Sequence, residues 1–248
     1  MTDWSQLDHA YGTAEDIPDL LRQLEPEGSD QVWSDIWSRL FHQGSVYSAS
    51  HAALPELTRL AREWSPTDRG RPLILAGSIL ASLDQPYGQP DPHAAYAAEV
   101  AELRTLTEEA LHVPGLVEDP DSYVVLLATL LALEGVEVWA EQLDGLTKGE
   151  FELPCPDCET ENFIVFGEYG YFSTLDGLYM NNMGGKRKPL QPVPVSGLEG
   201  LAARLHTRIR ADGHPGVADK LTYVFGSAEC AECGVSFRVD EAVVARWG

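Results

Sequence analysis

The chain is poor in basic side chains. Its 248 residues include 17 Lys and Arg against 39 Asp and Glu, which gives a formal net charge of −22 at pH 7. A nucleic-acid-binding protein normally carries a basic stripe that displaces counterions from phosphates, so this composition disfavours nucleic acid as a partner. It favours a solvated acidic face or, alternatively, a surface that steers a basic protein partner. The preference for Arg over Lys, 13 against 4, fits a bacterial coding sequence rich in G and C.

The sequence also lacks a long apolar run. The longest, residues 123–133, has eleven residues, whereas a membrane-spanning helix needs about 20. The first ten residues contain neither a basic region nor an apolar core, so we expect no secretory signal. We therefore expect a cytoplasmic protein that binds no membrane.

Sequence motifs of catalysis are missing as well. The seven histidines have no ligand spacing such as HExxH, and we interpret isolated ones such as His42 and His51 as surface or core residues. No nucleophile elbow, phosphate-binding loop or dinucleotide fingerprint occurs. We expect no catalytic residue, and an enzyme with a site in the loop 167–195 is kept as an alternative.

The first 149 residues have the periodicity of helices separated by short breaks. A capping signal at 13–16 precedes apolar residues in 17–24, and apolar residues recur on one face in 32–41, 54–64, 72–83 and 96–110. Asp91-Pro92 and Asp119-Pro120 are start signals, and the helix after the second one is apolar on all sides over 123–133. Six helices in about 140 residues match the spacing of three HEAT-type hairpins, with a compact bundle as the alternative.

Residues 150–248 have a different pattern of apolar and turn-forming residues. Short apolar or β-branched segments at 151–153, 162–166 and 222–225 predict strands. Ser196 and Glu199 predict the start of a helix that ends near Gly213. The predicted fold class is α+β, with an α-helical domain over 1–149 and a small β module over 150–248.

All four cysteines fall in two CxxC pairs, Cys155 with Cys158 and Cys230 with Cys233, separated by 71 residues. A tight CxxC turn lets two thiolates reach one ion, while backbone N–H groups freed by the turn stabilise the sulfur charge. Two such knuckles complete a closed tetrahedral shell, so we predict one structural Zn²⁺ per chain. Iron in the same shell, a redox-active CPDC pair and two structural disulfides are the alternatives.

Two parts of the chain resemble known families. HQGSVY at residues 42–47, followed by AS at 49–50 and AALP at 52–55, resembles HEAT-like α-helical proteins of bacteria over about residues 15–85. That resemblance implies an α-solenoid scaffold with protein contacts, of an immunity-like or regulatory type, and implies no catalytic residues. The CxxC pairs, with Pro156 and Gly234, resemble a rubredoxin-like zinc ribbon with a large insertion, although Glu159 stands where such ribbons usually carry glycine.

Lys186, Arg187 and Lys188 form a basic cluster after Gly184 and Gly185 in a loop rich in Gly, Tyr and Pro. We interpret the cluster as a solvated loop, or as a contact for an acidic partner or for the protein's own helical half. The leading hypothesis is a non-enzymatic interaction protein with a structural zinc site and a protein partner. The alternative is a zinc-ribbon regulator associated with nucleic acid. The sequence leaves the oligomeric state open.

Overall fold

The structure, a computed structural model, describes residues 2–181 and 185–248. It is mixed helix and strand, 52% and 14%, with small sheets, which confirms the α+β class in its coarse form. The chain forms two compact units, Met1–Glu141 and Gln142–Gly248. Among the described residues, no helix combines the length and the apolar composition that a membrane crossing requires.

The first unit contains helices and two short antiparallel hairpins. One hairpin pairs β1 (Asp8–His9) with β2 (Gly12–Thr13), and the other pairs β3 (Phe41–His42) with β4 (Ser45–Val46). The helices in chain order are α1 Ile17–Arg22, α2 Asp30–Leu40, α3 Ser48–Ala52, α4 Leu54–Glu63, α5 Gly70–Ala81, α6 Pro92–Ala95, α7 Ala97–Ala110, α8 Pro114–Val117, α9 Pro120–Leu133 and α10 Glu137–Gln142.

The core of the first unit lies among α4, α5, α7 and α9, and α5 makes its most extensive contact with α9. The two helices approach closely at Gly77, where a Cβ would lie 2.7 Å from Cγ2 of Thr129. Helix α9 is buried over 123–133 except at positions 125 and 128, which are half-buried. This confirms the prediction that a helix apolar on all sides is buried on most of them.

The starts of two helices follow the predicted capping pattern. The Asp119 side chain accepts a hydrogen bond from the Ser122 N–H at 2.9 Å, and the Asp91 side chain accepts one from the His93 N–H at 3.0 Å. The helix after Asp91 is interrupted at Tyr96, which separates α6 from α7. Residues 43 and 44 form the tight turn between β3 and β4.

The second unit contains two sheets and four helices among its described residues. Strands β5 to β8 form an antiparallel sheet in chain order, and β9 pairs with β10. The elements in chain order are α11 Gly145–Lys148, β5 Glu150–Pro154, β6 Glu161–Gly167, β7 Gly170–Thr174, β8 Lys188–Pro189, α12 Gly200–Ala211, α13 Pro215–Val224, β9 Ser227–Glu229, β10 Ser236–Arg238 and α14 Val239–Trp247.

One predicted strand of this unit is wrong. Residues 222–225 are the end of α13 and the residue after it, because the buried positions Val217, Leu221 and Val224 recur at helical spacing from Pro215 onward. The helix predicted to end near Gly213 is confirmed as α12. Its N-cap residue is Glu199, which makes no capping hydrogen bond.

We expect Gly77→Ala to destabilise the first unit by about 1–3 kcal/mol, because the added methyl group would overlap Thr129. Gly115→Ala is the matched control: Gly115 is also helical, but nothing lies within 4 Å of its Cβ position, so its replacement should be neutral or slightly stabilising. Urea unfolding followed by far-UV circular dichroism measures both. Equal midpoints for the two variants would contradict the close approach of α5 and α9.

Candidate metal centre

The first cysteine pair lies in the turn between β5 and β6. The Cys155 N–H donates to the Thr160 carbonyl oxygen at 2.9 Å, and the Glu159 N–H donates to the Cys155 carbonyl oxygen at 3.0 Å. Glu159 has a φ of 58°, which is the left-handed region that glycine adopts most easily. This turn is the first knuckle.

The second pair lies in the turn between β9 and β10 and repeats the same hydrogen bonds. The Cys230 N–H donates to the Val235 carbonyl oxygen at 2.8 Å, and the Gly234 N–H donates to the Cys230 carbonyl oxygen at 3.0 Å. Gly234 has a φ of 81°, which also lies in the left-handed region. This turn is the second knuckle. Glu159 in the first knuckle thus adopts the same left-handed conformation as Gly234 in the second.

The structure brings all four cysteines together. Their sulfur atoms lie within 4.8 Å of one another. The distance is 3.7 Å between Cys155 Sγ and Cys233 Sγ and 3.8 Å between Cys158 Sγ and Cys230 Sγ. These distances exceed a disulfide bond of about 2.05 Å. A tetrahedral ion with metal–sulfur bonds of about 2.3 Å places its ligands about 3.8 Å apart, so the four cysteines could hold a metal ion.

The chain after the first knuckle bears on the redox alternative. A thioredoxin-type CPDC pair opens a helix, whereas Cys158 is followed by a turn and by strand β6.

The four cysteines are free, Cys155 and Cys230 are buried, Cys158 is half-buried and Cys233 is exposed. The cluster therefore lies at the surface of the second unit, with the first cysteine of each knuckle on its inner side.

Hydrogen bonds favour the thiolate at two of the four sulfurs. Burial alone would raise the pKa of Cys230, but backbone N–H groups of its own knuckle and the Asn162 amide donate to its sulfur, and together they lower this pKa to about 6. Hydrogen bonds from the Thr160 hydroxyl and backbone lower the pKa of Cys158. Both sulfurs are thus prepared to act as ligands, since the thiolate is the form that binds a metal.

The fourth sulfur behaves in the opposite way. A backbone hydrogen bond from Val235 favours the thiolate of Cys233, but desolvation and the three neighbouring thiols outweigh it and raise the pKa to about 12. Negative charges at this spacing repel one another, so the sulfurs cannot all ionise without a cation among them. The chemistry of the donor set therefore fits a thiophilic divalent cation.

Asn162 contacts the site although no sequence motif marks it. Its side chain is buried, and its Oδ1 accepts a hydrogen bond from the Ala231 N–H at 2.9 Å. Its Nδ2 donates to Cys230 Sγ at 3.5 Å. The available signal in the sequence is a polar residue next to the apolar run FIVF, at a position of strand β6 that is buried.

The basic cluster is largely engaged within the second unit. Lys188 forms an ion pair with Glu229, and the Arg187 guanidinium lies 4.1 Å from the ring centroid of Phe172. Lys186 is exposed. Gly184, which precedes the cluster, lies outside the described residues, as do residues 182 and 183. A partner-binding role for the three cations stays a prediction.

The loop 167–195 contains a packed aromatic cluster. Tyr179 is buried against Phe172 and Val165, with Phe163 beside them, and its hydroxyl donates to the Glu150 carboxylate at 2.5 Å. Burial, assisted by that hydrogen bond, raises the pKa of Tyr179. Tyr179 is therefore held protonated, and its packing against these apolar side chains accounts for its position.

The two histidines singled out by the sequence belong to the first unit, and neither is among the side chains of the sulfur site. His42 Nδ1 is 3.3 Å from the Tyr11 hydroxyl, and the buried His51 is 2.7 Å from the Gln85 side-chain oxygen. Within 2–181 and 185–248, the four cysteines are the only group of three or more Cys, His, Asp or Glu side chains close enough to share a metal ion. Comparisons with protein-family models, curated proteins and solved structures gave no match.

We expect Glu159→Gly to stabilise the second unit by about 1 kcal/mol, because glycine takes the left-handed conformation without the clash that a Cβ makes. Gly234→Ala is the opposite control at the equivalent position of the second knuckle, and it should destabilise by a similar amount. Urea unfolding of both variants with zinc present measures the two changes. A lower midpoint for Glu159→Gly would contradict the strained conformation of the first knuckle.

Proposed function

We propose that the second unit is a zinc-ribbon-like module built around one structural Zn²⁺ held by Cys155, Cys158, Cys230 and Cys233. The observation that carries this proposal is the pair of hairpins whose matching turns bring four sulfurs within 4.8 Å of one another, with two of the distances, 3.7 and 3.8 Å, at tetrahedral spacing. Four protein ligands fill the coordination shell of zinc, and a filled shell serves structure rather than catalysis.

In this proposal the insertion between the two hairpins belongs to the same module. The Ser173 hydroxyl of β7 donates to the Glu229 carbonyl oxygen of β9 at 2.5 Å, and the backbones of Gln191 and Ser227 exchange two hydrogen bonds of 2.9 Å. The second hairpin is thus joined to the first sheet through the insertion. Zinc would close the chain between positions 155 and 233 and hold these elements in place.

The zinc proposal predicts one metal equivalent in protein purified without added metal. Cys155→Ser should release it and unfold the second unit, because metal binding contributes roughly 10–16 kcal/mol in isolated zinc modules and an average domain has about 5–15 kcal/mol of stability. The helices of the first unit should persist. The measurements are metal analysis, limited proteolysis and circular dichroism.

Val235→Ser is the matched control, because it places the same new side chain beside the second knuckle and leaves the four sulfurs and the backbone bonds intact. It should retain the metal. Purified protein that contains no metal and has four reactive thiols would contradict the zinc site. Loss of all helicity together with the metal would contradict independent stability of the two units.

The first unit supports the HEAT-like part of the proposal through its packing. Helix α4 contacts α5 and α7, while α9 contacts α5 and α7. The four helices thus pair as two consecutive hairpins, one formed by α4 and α5 and the other by α7 and α9. Stacking of the two hairpins, with α4 on α7 and α5 on α9, is the arrangement that helical repeats use to bury their faces.

An acidic cleft supports the proposal that the first unit binds a protein. Residues 1–141 have a net charge of −17, from 7 basic and 24 acidic side chains. The acidic cleft, of about 640 Å³, is lined by residues 80–83, 85, 91–93, 134, 135 and 137. Leu80, Leu83 and Pro92 give it apolar walls, and its charged side chains are carboxylates.

The ends of two helices add to the negative potential of the acidic cleft. Helix α5 ends at Ala81 and α9 ends at Leu133, and residues at or just beyond both ends line the cleft. Helix C-termini carry partial negative charge. In such a cleft the aliphatic stem of a Lys or Arg side chain would pack on the apolar walls, while its charged head would pair with the carboxylates.

The function that follows is non-enzymatic protein interaction with a basic partner, of the immunity-like or regulatory type that the HEAT-like resemblance implies. The net charge of −22 disfavours the alternative of a nucleic-acid-associated regulator. In the proposed arrangement the first unit supplies the binding surface, and the second unit is held in shape by its metal.

The partner proposal predicts that a hexa-arginine peptide binds the first unit and that Glu134→Gln/Glu137→Gln weakens this binding about tenfold, since two carboxylates of the cleft are lost. Glu25→Gln/Glu27→Gln removes the same net charge at exposed positions outside the cleft and should change the affinity much less. Isothermal titration at several salt concentrations measures both, and higher salt should weaken binding because screening acts over about 10 Å at 0.1 M. Equal losses in the two variants would show diffuse attraction and contradict a role for the cleft.

A further inference from the structure

The side-chain amide of Asn162 makes three hydrogen bonds. Its Oδ1 accepts from the Ala231 N–H at 2.9 Å, while its Nδ2 donates to the Thr160 carbonyl oxygen at 2.8 Å and to Cys230 Sγ at 3.5 Å. Ala231 N–H can be met only by an oxygen, so the orientation of the amide follows from its partners. The NH₂ group therefore points at the sulfur.

These bonds connect the two knuckles. Thr160 belongs to the turn of the first knuckle, whereas Cys230 and Ala231, which lie 68 and 69 residues after Asn162, belong to the second. A buried amide is costly unless its hydrogen bonds are made, so Asn162 favours the arrangement in which the second knuckle sits against the first. The backbone of the ligand turn is thus positioned by a side chain that is not itself a ligand.

The equivalent position of the second knuckle shows that the strand itself does not require a polar residue. Asn162 lies seven positions after Cys155, and Phe237 lies seven positions after Cys230. Phe237 is buried and apolar. The fold therefore accommodates an apolar side chain at this place in the hairpin, and the amide at 162 is specific to the side that faces Cys230.

The bond from Nδ2 to Cys230 also has an electronic effect. An N–H group that donates to a thiolate withdraws negative charge from the sulfur, which stabilises the metal-bound thiolate and lowers its reactivity. Cys230 is the most buried of the four cysteines, so protein donors rather than water supply this stabilisation.

We infer that Asn162 is a positioning residue of the metal centre, which fixes the second knuckle against the first and tunes the sulfur of Cys230 as a ligand. This inference rests on the proposed zinc site. It assigns Asn162 the outer-shell role that usually changes metal affinity by about 10- to 100-fold.

The test uses Asn162→Asp, which keeps the shape and the acceptor for Ala231 but replaces the donor with an oxygen that faces Cys230. Asn181→Asp is the matched control, because it makes the same chemical change at an exposed position of the same unit. Zinc affinity, measured by competition with a chromogenic chelator, should fall about 10- to 100-fold for Asn162→Asp and stay within twofold for the control.

Two spectroscopic measurements separate ligand tuning from a loss of folding. In Co²⁺-loaded protein, the sulfur-to-metal charge-transfer band of Asn162→Asp should move to lower energy, because the sulfur has lost a donor. In wild-type protein loaded with ¹¹³Cd, the Asn162 side-chain NH₂ should show a scalar coupling to the metal through the sulfur, and this measurement needs no variant.

The outcomes distinguish this inference from the zinc proposal. A wild-type protein that binds neither Zn²⁺ nor Co²⁺ overturns the metal site and the role of Asn162 with it. A wild-type protein that binds zinc but shows no coupling to the Asn162 amide overturns only the role of Asn162. Equal zinc affinity and equal Co²⁺ bands for Asn162→Asp and wild type would likewise overturn only the role of Asn162.

Discussion

Crowding of four sulfur atoms is the constraint on which the second unit depends. Within 4.8 Å of one another, they cannot all carry negative charge unless a cation balances them. Desolvation and the three neighbouring thiols raise the pKa of Cys233, which expresses this conflict, whereas hydrogen bonds from its own knuckle and from Asn162 lower the pKa of Cys230. The two knuckle turns position the sulfurs, and the Asn162 amide and the bond between β7 and β9 join the two hairpins that carry them.

Much of this site could be predicted from the sequence, because its chemistry is local. The CxxC spacing determines a turn, and Gly234 shows by its identity that the residue after the turn needs a positive φ. Asn162 could not be predicted in the same way. Its partners in the second knuckle lie almost 70 residues away, and a polar residue in a short strand has no pattern that indicates what it faces.

The fold shows the same division between local and distant causes. The long amphipathic or apolar helices α4, α5, α7 and α9 follow from periodicity. The β-branched and aromatic side chains of residues 222–225 predict a strand, yet the burial pattern that begins at Val217 continues through Val224 as a helix. The contact between Gly77 and Thr129 depends on which helices meet, which periodicity does not specify.

The number of residues between the two knuckles also determines how long the second knuckle is synthesised after the first. Cys158 leaves the ribosome 72 residues before Cys230, and at about 5–20 residues per second the interval is roughly 4–15 s. During synthesis the first pair is therefore a dithiol whose partners do not yet exist. The helices of the first unit are translated earlier and make mostly local contacts, so they can fold before this interval ends. The nascent chain can thus carry the folded helices of the first unit while its set of four cysteines is still incomplete.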